Sequence, residues 1–412
     1  MTELVCYPRN RMSRLLYLFT LSIIVLTQKM SFAAEVPRPN GYDFFVRAGE
    51  AFVRDSNSVD EVTSTSMKYE PGKIYPIGPK QAWLKENAKA LHLLREGLKY
   101  PAWQPKVDDN GYFPSYSQFR SLARALVVES HVYAQQGQFD KAASSTLDIV
   151  AFGYAVPRGA TVIGSLVGNA IVAIGVGALG KIMPHLDAAS SQAAAGRLER
   201  IYADRMPYFK TMEYEKIHTI EMLKDALKRP DWRKEISDAG NHSIAQAARL
   251  LLMTKNDVID EYTRRMDDQI QNAHLPYSKM QPVPGFEDSP LATFIINVSN
   301  VRWDQARADT QCIISMAMLA LRAYKLCHQQ YPATLQKLVP NYLRKVPIDP
   351  FDGMTSLRYR LDGEKYRLWS IGPDGINNNG RPVENKNQTG RGRYHSWASG
   401  NSGDIVAGVN VP

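Results

Sequence analysis

Residues 331–380 read YPATLQKLVPNYLRKVPIDPFDGMTSLRYRLDGEKYRLWSIGPDGINNNG, and Pro and Gly recur closely enough to leave little of this backbone unconstrained. The run Val346-Pro347-Ile348-Asp349-Pro350 is extended before each proline and turns at Asp352-Gly353. Two alternating segments follow, 356–361 and 364–370. Asp362-Gly363 separates them, and a glycine there tolerates the positive φ of a type I′ turn, which predicts a β-hairpin. Leu357, Tyr359, Leu361, Tyr366 and Leu368 then share one face, opposite Arg358, Arg360, Lys365 and Arg367. One face is core and the other is wet. Immediately upstream, 306–330 sets Ile313, Met316, Ala317, Ala320, Tyr324 and Cys327 on one helical stripe, against which the hairpin can fold.

This series resembles the C-terminal domain of the type II secretion system major pseudopilin (G-type). The matching residues are Tyr331-Pro332, Leu335, Leu338, Tyr342-Leu343, Pro347, Asp349-Pro350, Ser370, Gly372, Asp374-Gly375 and, after an insertion, Asp404-Ile405. The resemblance covers about the last quarter of the chain. It implies a long helix leading into a small antiparallel sheet and a closing loop that binds calcium, with Asp374 and Asp404 carried over as ligands. In the family the leading helix starts at a processed N-terminus and inserts in a filament, whereas here some 300 residues precede it. The implied role is therefore a structural or protein-binding one, with a protein partner in the envelope or the secretion machinery.

Upstream the pattern is helical from about 40 to 273. Amphipathic segments are expected at 42–53, 83–98, 119–136, 139–153, 188–206, 208–227 and 241–272. Tyr133, Ala134, Gly137, Phe139 and Ala142 have the pattern of a tetratricopeptide-like hairpin turn, in a single copy where stacking repeats need about three. Residues 159–180 carry no charge, a length that spans a membrane or forms a helix buried on all sides. Residues 274–299, with Pro276, Pro282, Pro284 and Pro290, read as an inter-domain linker. The expected fold class is thus α+β: a signal peptide (1–33), an all-α helical-hairpin domain (40–273), the linker, and a pseudopilin-like module (300–412) in which a long helix packs on a short antiparallel sheet.

At 412 residues, with 44% hydrophobic and 22% charged residues, the composition is that of a globular protein. The net charge is +9, a mild excess that acts on solubility more than on recognition of a polyanion. Arg9, Arg11 and Arg14 precede an apolar run at 15–26 and then Ser31-Phe32-Ala33, the order of a secretory signal. Export to the periplasm or cell surface follows. An uncleaved anchor at 15–26, or a span at 159–180, is the membrane-bound alternative. Cys312 and Cys327 lie fifteen positions apart on one expected helix, roughly 22 Å, too far for a disulfide.

Asp374, Asn377, Asn378, Asn379 and Asp404, with main-chain carbonyls near Ser370, are oxygen donors in a Gly-rich loop of a kind that holds a hard cation such as Ca²⁺. The metal ligands expected are Asp374, Asp404, Asn377, Asn379 and Ser370. A metal-free loop of Asx turns has the same composition. Glu215, His218 and Glu221 are the candidates for a metal-dependent enzyme, though at i, i+3 and i+6 they match a solvated helix face equally well. Arg391, Arg393, Tyr394, His395 and Trp397 mix phosphate-binding and base-stacking types, the basis of a weak polyanion-binding alternative. No Gly-x-Ser-x-Gly, P-loop or dinucleotide motif occurs, so no reaction is assigned and no catalytic residue named.

Overall fold

The structure is a computed structural model that describes residues 36–54, 77–105, 115–240, 242–281, 288–295, 298–390, 392–395 and 400–412. The expected signal segment lies outside the described residues, as do Pro282, Pro284, Arg391 and Trp397. The helices are α1 (Gly41–Glu50), α2 (Gly78–Glu86), α3 (Ala88–Gly97), α4 (Ser115–Gln135), α5 (Phe139–Ala155), α6 (Val162–Ile182), α7 (Ala188–Ala203), α8 (Tyr208–Leu227), α9 (Trp232–Asp238), α10 (Ile244–Leu252), α11 (Lys255–Ala273) and α12 (Val298–His328). Strands β1 (Arg358–Asp362) and β2 (Lys365–Ser370), a short α13 (Gly392–His395) and β3 (Ile405–Val406) follow. The class is α+β, mostly helical with one small antiparallel sheet in the order β1-β2-β3.

Side chains that compete for backbone groups explain where helices break against expectation. The segment expected as one helix over 83–98 divides at buried Asn87. Its amide exchanges hydrogen bonds with the main chain of Val53, at 2.9 and 3.2 Å, and so ties α1's exit to the α2–α3 corner. The helix expected over 241–272 is two. Thr254 accepts the Asp257 N–H while Asp257 accepts the Thr254 N–H, a capping box that ends one helix and starts the next. Helix α12 begins eight residues before its expected start at 306.

Helix α6 is the one described helix long and apolar enough to cross a membrane, with a mean hydropathy of 2.1 over its most apolar window. It packs against α4, α5 and α12. Its crossing with α5 is made possible by Gly153 and Gly168: a Cβ on Gly168 would lie 2.5 Å from the Gly153 carbonyl oxygen. Only glycine permits that backbone approach.

One hydrophobic cluster joins the two halves of the sequence. Leu147, Val176, Leu179 and Leu198 from α5–α7 meet Ile313, Ala317 and Leu321 of α12, and the same cluster continues through Leu338, Phe351, Leu368 and Ile405. Pro37–Pro412 forms one compact unit, and residues on both sides of the segment expected as a linker at 274–299 contribute to that cluster. Pro276 and Tyr277 pack against the body, Tyr277 edge-on to Phe351 at 5.3 Å. A second cluster holds α1, α3, α4 and α5 together through Phe45, Phe119 and Phe152, whose rings meet edge to face at 4.9–6.5 Å. A third, around Trp232, Tyr262 and Met266, packs α8 to α11.

In the sheet Tyr359 pairs with Leu368 and Leu361 with Tyr366, which puts the apolar residues on one face as the alternation requires. The turn sits one residue later than expected. Asp362 pairs with Lys365, and Gly363, at φ 63°, is the first central residue. Glu364 is not at positive φ, so the turn has the type II′ pattern and not type I′. Strand β3 pairs with β2 through Trp369–Val406 and Ser370–Ile405, bringing the end of the chain back over the hairpin.

Candidate functional site

Three carboxylates fold the closing loop. Asp349 Oδ1 accepts the Ser370 hydroxyl at 2.7 Å and the Phe351 N–H at 3.1 Å, and its Oδ2 accepts the Ile371 N–H at 2.9 Å. Asp404 accepts the N–H groups of Asn378 and Gly380, at 3.1 and 2.6 Å. Asp374 accepts those of Ile376 and Gly403, both at 3.0 Å. Burial holds Asp349 and Asp404 above the ordinary carboxylate range, and for Asp404 the neighbouring charges of Asp374 and Asp349 add to it.

Of the five expected cation ligands the structure brings Asp374 and Asp404 together, on either side of Asn378, whose side-chain amide donates to Asp374 at 3.3 Å. Asn377 and Ser370 have other partners. Asn377 Oδ1 accepts the Trp369 indole N–H and the Asn379 N–H, both at 3.0 Å. Asn379 is exposed at φ 57°, and the Ser370 hydroxyl is given to Asp349. An Asx turn, in which a side-chain oxygen accepts a nearby backbone N–H, has taken the Asn377 oxygen. Among the described residues no three His, Cys, Asp or Glu side chains converge as a metal site. A Ca²⁺ ion takes about six to eight oxygens. Here it would find two carboxylates and main-chain carbonyls, a partial fit.

Glu215 has a structural task. Thr161, the N-cap of α6, gives no side-chain bond, and Glu215 Oε2 accepts the Val162 N–H at 2.8 Å in its place. Burial raises the Glu215 pKa, partly offset by that N–H and by His218. A carboxyl whose folded value lies above its unfolded one stabilises fully below the unfolded pKa, and the contribution is lost as pH rises through the folded value. Between pH 7 and 5 the wild-type chain should therefore gain stability relative to Glu215→Gln, a difference that parallel thermal melts will read. Arg393, from the expected polyanion loop, is paired with Glu384 at 2.9 Å, and Tyr394 gives its carbonyl to Asn410.

The largest feature that the sequence did not announce is a cavity of about 440 Å³ where α7 and α12 meet the 345–353 loop. Arg205 and Asp309 form an ion pair across it at 3.2 Å, and Asp309 also accepts the Tyr154 hydroxyl and the Gln305 amide, each at 3.0 Å. Arg205 lies 3.7 Å over the Tyr202 ring. Arg302 lines the same cavity. Behind it burial pushes the Cys312 thiol up to about 12, so it stays protonated.

No known protein family, curated protein or solved structure matches this chain. Function is thus argued from these residues and from the pattern quoted for the C-terminal quarter. Sequence pattern did not single the cavity out: Arg302, Gln305 and Asp309 share a helix face at i, i+3 and i+7, but Asp304 and Arg307 between them make the whole stretch read as a charged helix start. Starting that helix at 306 cut Arg302 away from it.

Proposed function

We propose that this chain is an exported, non-catalytic envelope protein whose pseudopilin-like C-terminal segment serves within a rigid platform for a protein partner and does not polymerise. The observation that carries the reading is the burial of α12. Ala306, Cys312, Ile313, Ile314, Ala317, Leu319, Ala320 and Leu321 are each fully enclosed, with α6 and α7 against the helix on one side and the sheet on the other. A filament subunit of the pseudopilin kind needs a free face on its leading helix, and this helix keeps none along that stretch. Supporting the non-catalytic reading, Glu215 is engaged as a helix cap.

Expression of the full chain with its leader, followed by fractionation and intact mass, tests the proposal. The expected product begins at Ala34, is released by osmotic shock and sediments at one constant mass. Regular filaments, or a cytosolic chain still beginning at Met1, would overturn it. The same proposal includes a Ca²⁺ ion at Asp374 and Asp404, whose mutual repulsion a dication would relieve. Ca²⁺ at about 100 times its Kd would add about 2.7 kcal/mol. Melting in Ca²⁺ against chelator should show that gain in the wild type and lose it in Asp404→Asn.

A further inference from the structure

We infer that the cavity between α7, α12 and the 345–353 loop is a binding site for a monocarboxylate with a small apolar body, its carboxylate received by Arg302. The inference stands apart from where the chain resides or what it docks on. It starts from a charge imbalance. Two guanidinium groups, Arg205 and Arg302, sit around one enclosed carboxylate, Asp309, and Arg205 takes it. Arg302 senses Asp309 and Arg205 through space, yet among the described residues it makes no hydrogen bond or ion pair, and its Nε is sealed from solvent without a partner. Its guanidinium carbon lies 5.7 Å from the Tyr208 ring centroid. Arg302 is half-buried, and burial pulls its guanidinium below its usual pKa.

Of the other acids on the wall, Asp349 lies 3.9 Å from the Arg358 guanidinium, which leaves Glu199 as the one carboxylate there without a cation paired to it among the described residues. Glu199 accepts the Arg344 N–H with both oxygens, at 2.9 and 3.1 Å. Asp349 is held by Ser370, Phe351 and Ile371. Lys345, on the 345–353 loop, is exposed and makes no ion pair among the described residues; with Arg205 paired to Asp309 and Asp349 to Arg358, the cations Arg302 and Lys345 outnumber Glu199 on the walls. Leu275, Pro276, Met316, Pro347, Ile348 and Pro350 supply an apolar part of the wall, beside Tyr202 and His274. A cavity of about 440 Å³ falls in the range of small-molecule sites, commonly apolar pockets with a few placed polar groups. A guanidinium receives a carboxylate through two parallel N–H donors. A net excess of one positive charge on the walls suits a monoanion, and a phosphate dianion would exceed it.

A carboxylate of this kind is carried both by free organic acids and by the C-terminus of a peptide. The full chain would be titrated calorimetrically, and melted, with 3-phenylpropionate, with inorganic phosphate, and with an acetylated tripeptide ending in phenylalanine as the free acid and as the amide. Expected is binding of 3-phenylpropionate or the peptide acid at a Kd of about 1 mM or tighter, with the amide and phosphate at least about tenfold weaker. Preference between the two acids assigns the source. Arg302→Met should melt no lower than the wild type without ligand, since it removes a half-buried charge whose Nε has no partner, and should lose the ligand-induced rise. Lys345→Ala, an exposed change that leaves the core intact, should weaken binding by about threefold and flatten its salt dependence. The inference is overturned if neither acid binds, if phosphate binds more tightly, or if binding survives unchanged in Arg302→Met. Should Arg302→Met fail to fold, salt-independent binding that Lys345→Ala does not weaken would overturn it as well.

Discussion

Gly168→Val should lower the stability of the chain by about 3 kcal/mol, a loss visible as a drop of several degrees in the melting temperature. The added Cβ would stand 2.5 Å from the Gly153 carbonyl oxygen and 2.7 Å from the Pro157 ring, and neither neighbour is the free end of a flexible side chain. The α5–α6 crossing would have to open, and α6 in turn supports α12, so the strain is not local. Gly177, on the same helix, has nothing within 4 Å of the position where a Cβ would stand. Gly177→Ala should stabilise by roughly 0.5–1 kcal/mol, because alanine loses less backbone entropy in a helix. Opposite signs from two glycines on one helix would locate the contact. Equal melting of Gly168→Val and wild type would place α5 and α6 further apart than described.

Asp349→Ala should cost about 3 kcal/mol or more, read as a shift in the denaturant midpoint at unchanged slope. Two effects oppose each other. The raised pKa of Asp349 shows that burying its charge is unfavourable, so removing the carboxylate recovers some of that cost. Against this, three donors, the Ser370 hydroxyl and the N–H groups of Phe351 and Ile371, lose their acceptor inside the protein. Each unsatisfied buried donor costs about 1–3 kcal/mol, and three together outweigh the recovery. Ser370→Ala removes one of the three bonds and leaves Asp349 with two backbone donors, for which a loss of about 1 kcal/mol is expected. Asp349 is thus the clasp between the proline-rich loop and β2, the same loop that walls the cavity.

Much of this was legible where one local rule decides the outcome. The hairpin followed from alternation around Asp362-Gly363, and the α4–α5 turn from Gly137, which adopts φ 74°. The turn shift by one residue was not legible, since types I′ and II′ both take a glycine and differ only in which central residue bears it. Helix breaks at Asn87 and Thr254 were missed because apolar periodicity runs through them, while capping and amide bonding act on a single residue. For the closing loop, composition named the oxygens but not their partners. Asn377 and Ser370 read as cation ligands until Trp369 and Asp349, each fixed by tertiary packing, are seen to hold them. Arg302 is invisible as a site from sequence, because an unpaired guanidinium is defined by what three other segments fail to offer it.

The central claim is that α12 is one shared core element, enclosed by α6 and α7 on one side and by the sheet on the other. Native-state hydrogen exchange followed peptide by peptide tests it most directly. If the claim holds, amides of α6, of residues 312–321 and of β2 exchange only through one common opening, at the same free energy and with the same denaturant slope. Exchange of residues 331–412 through a separate, lower-energy opening that leaves α6 and α12 protected would contradict it.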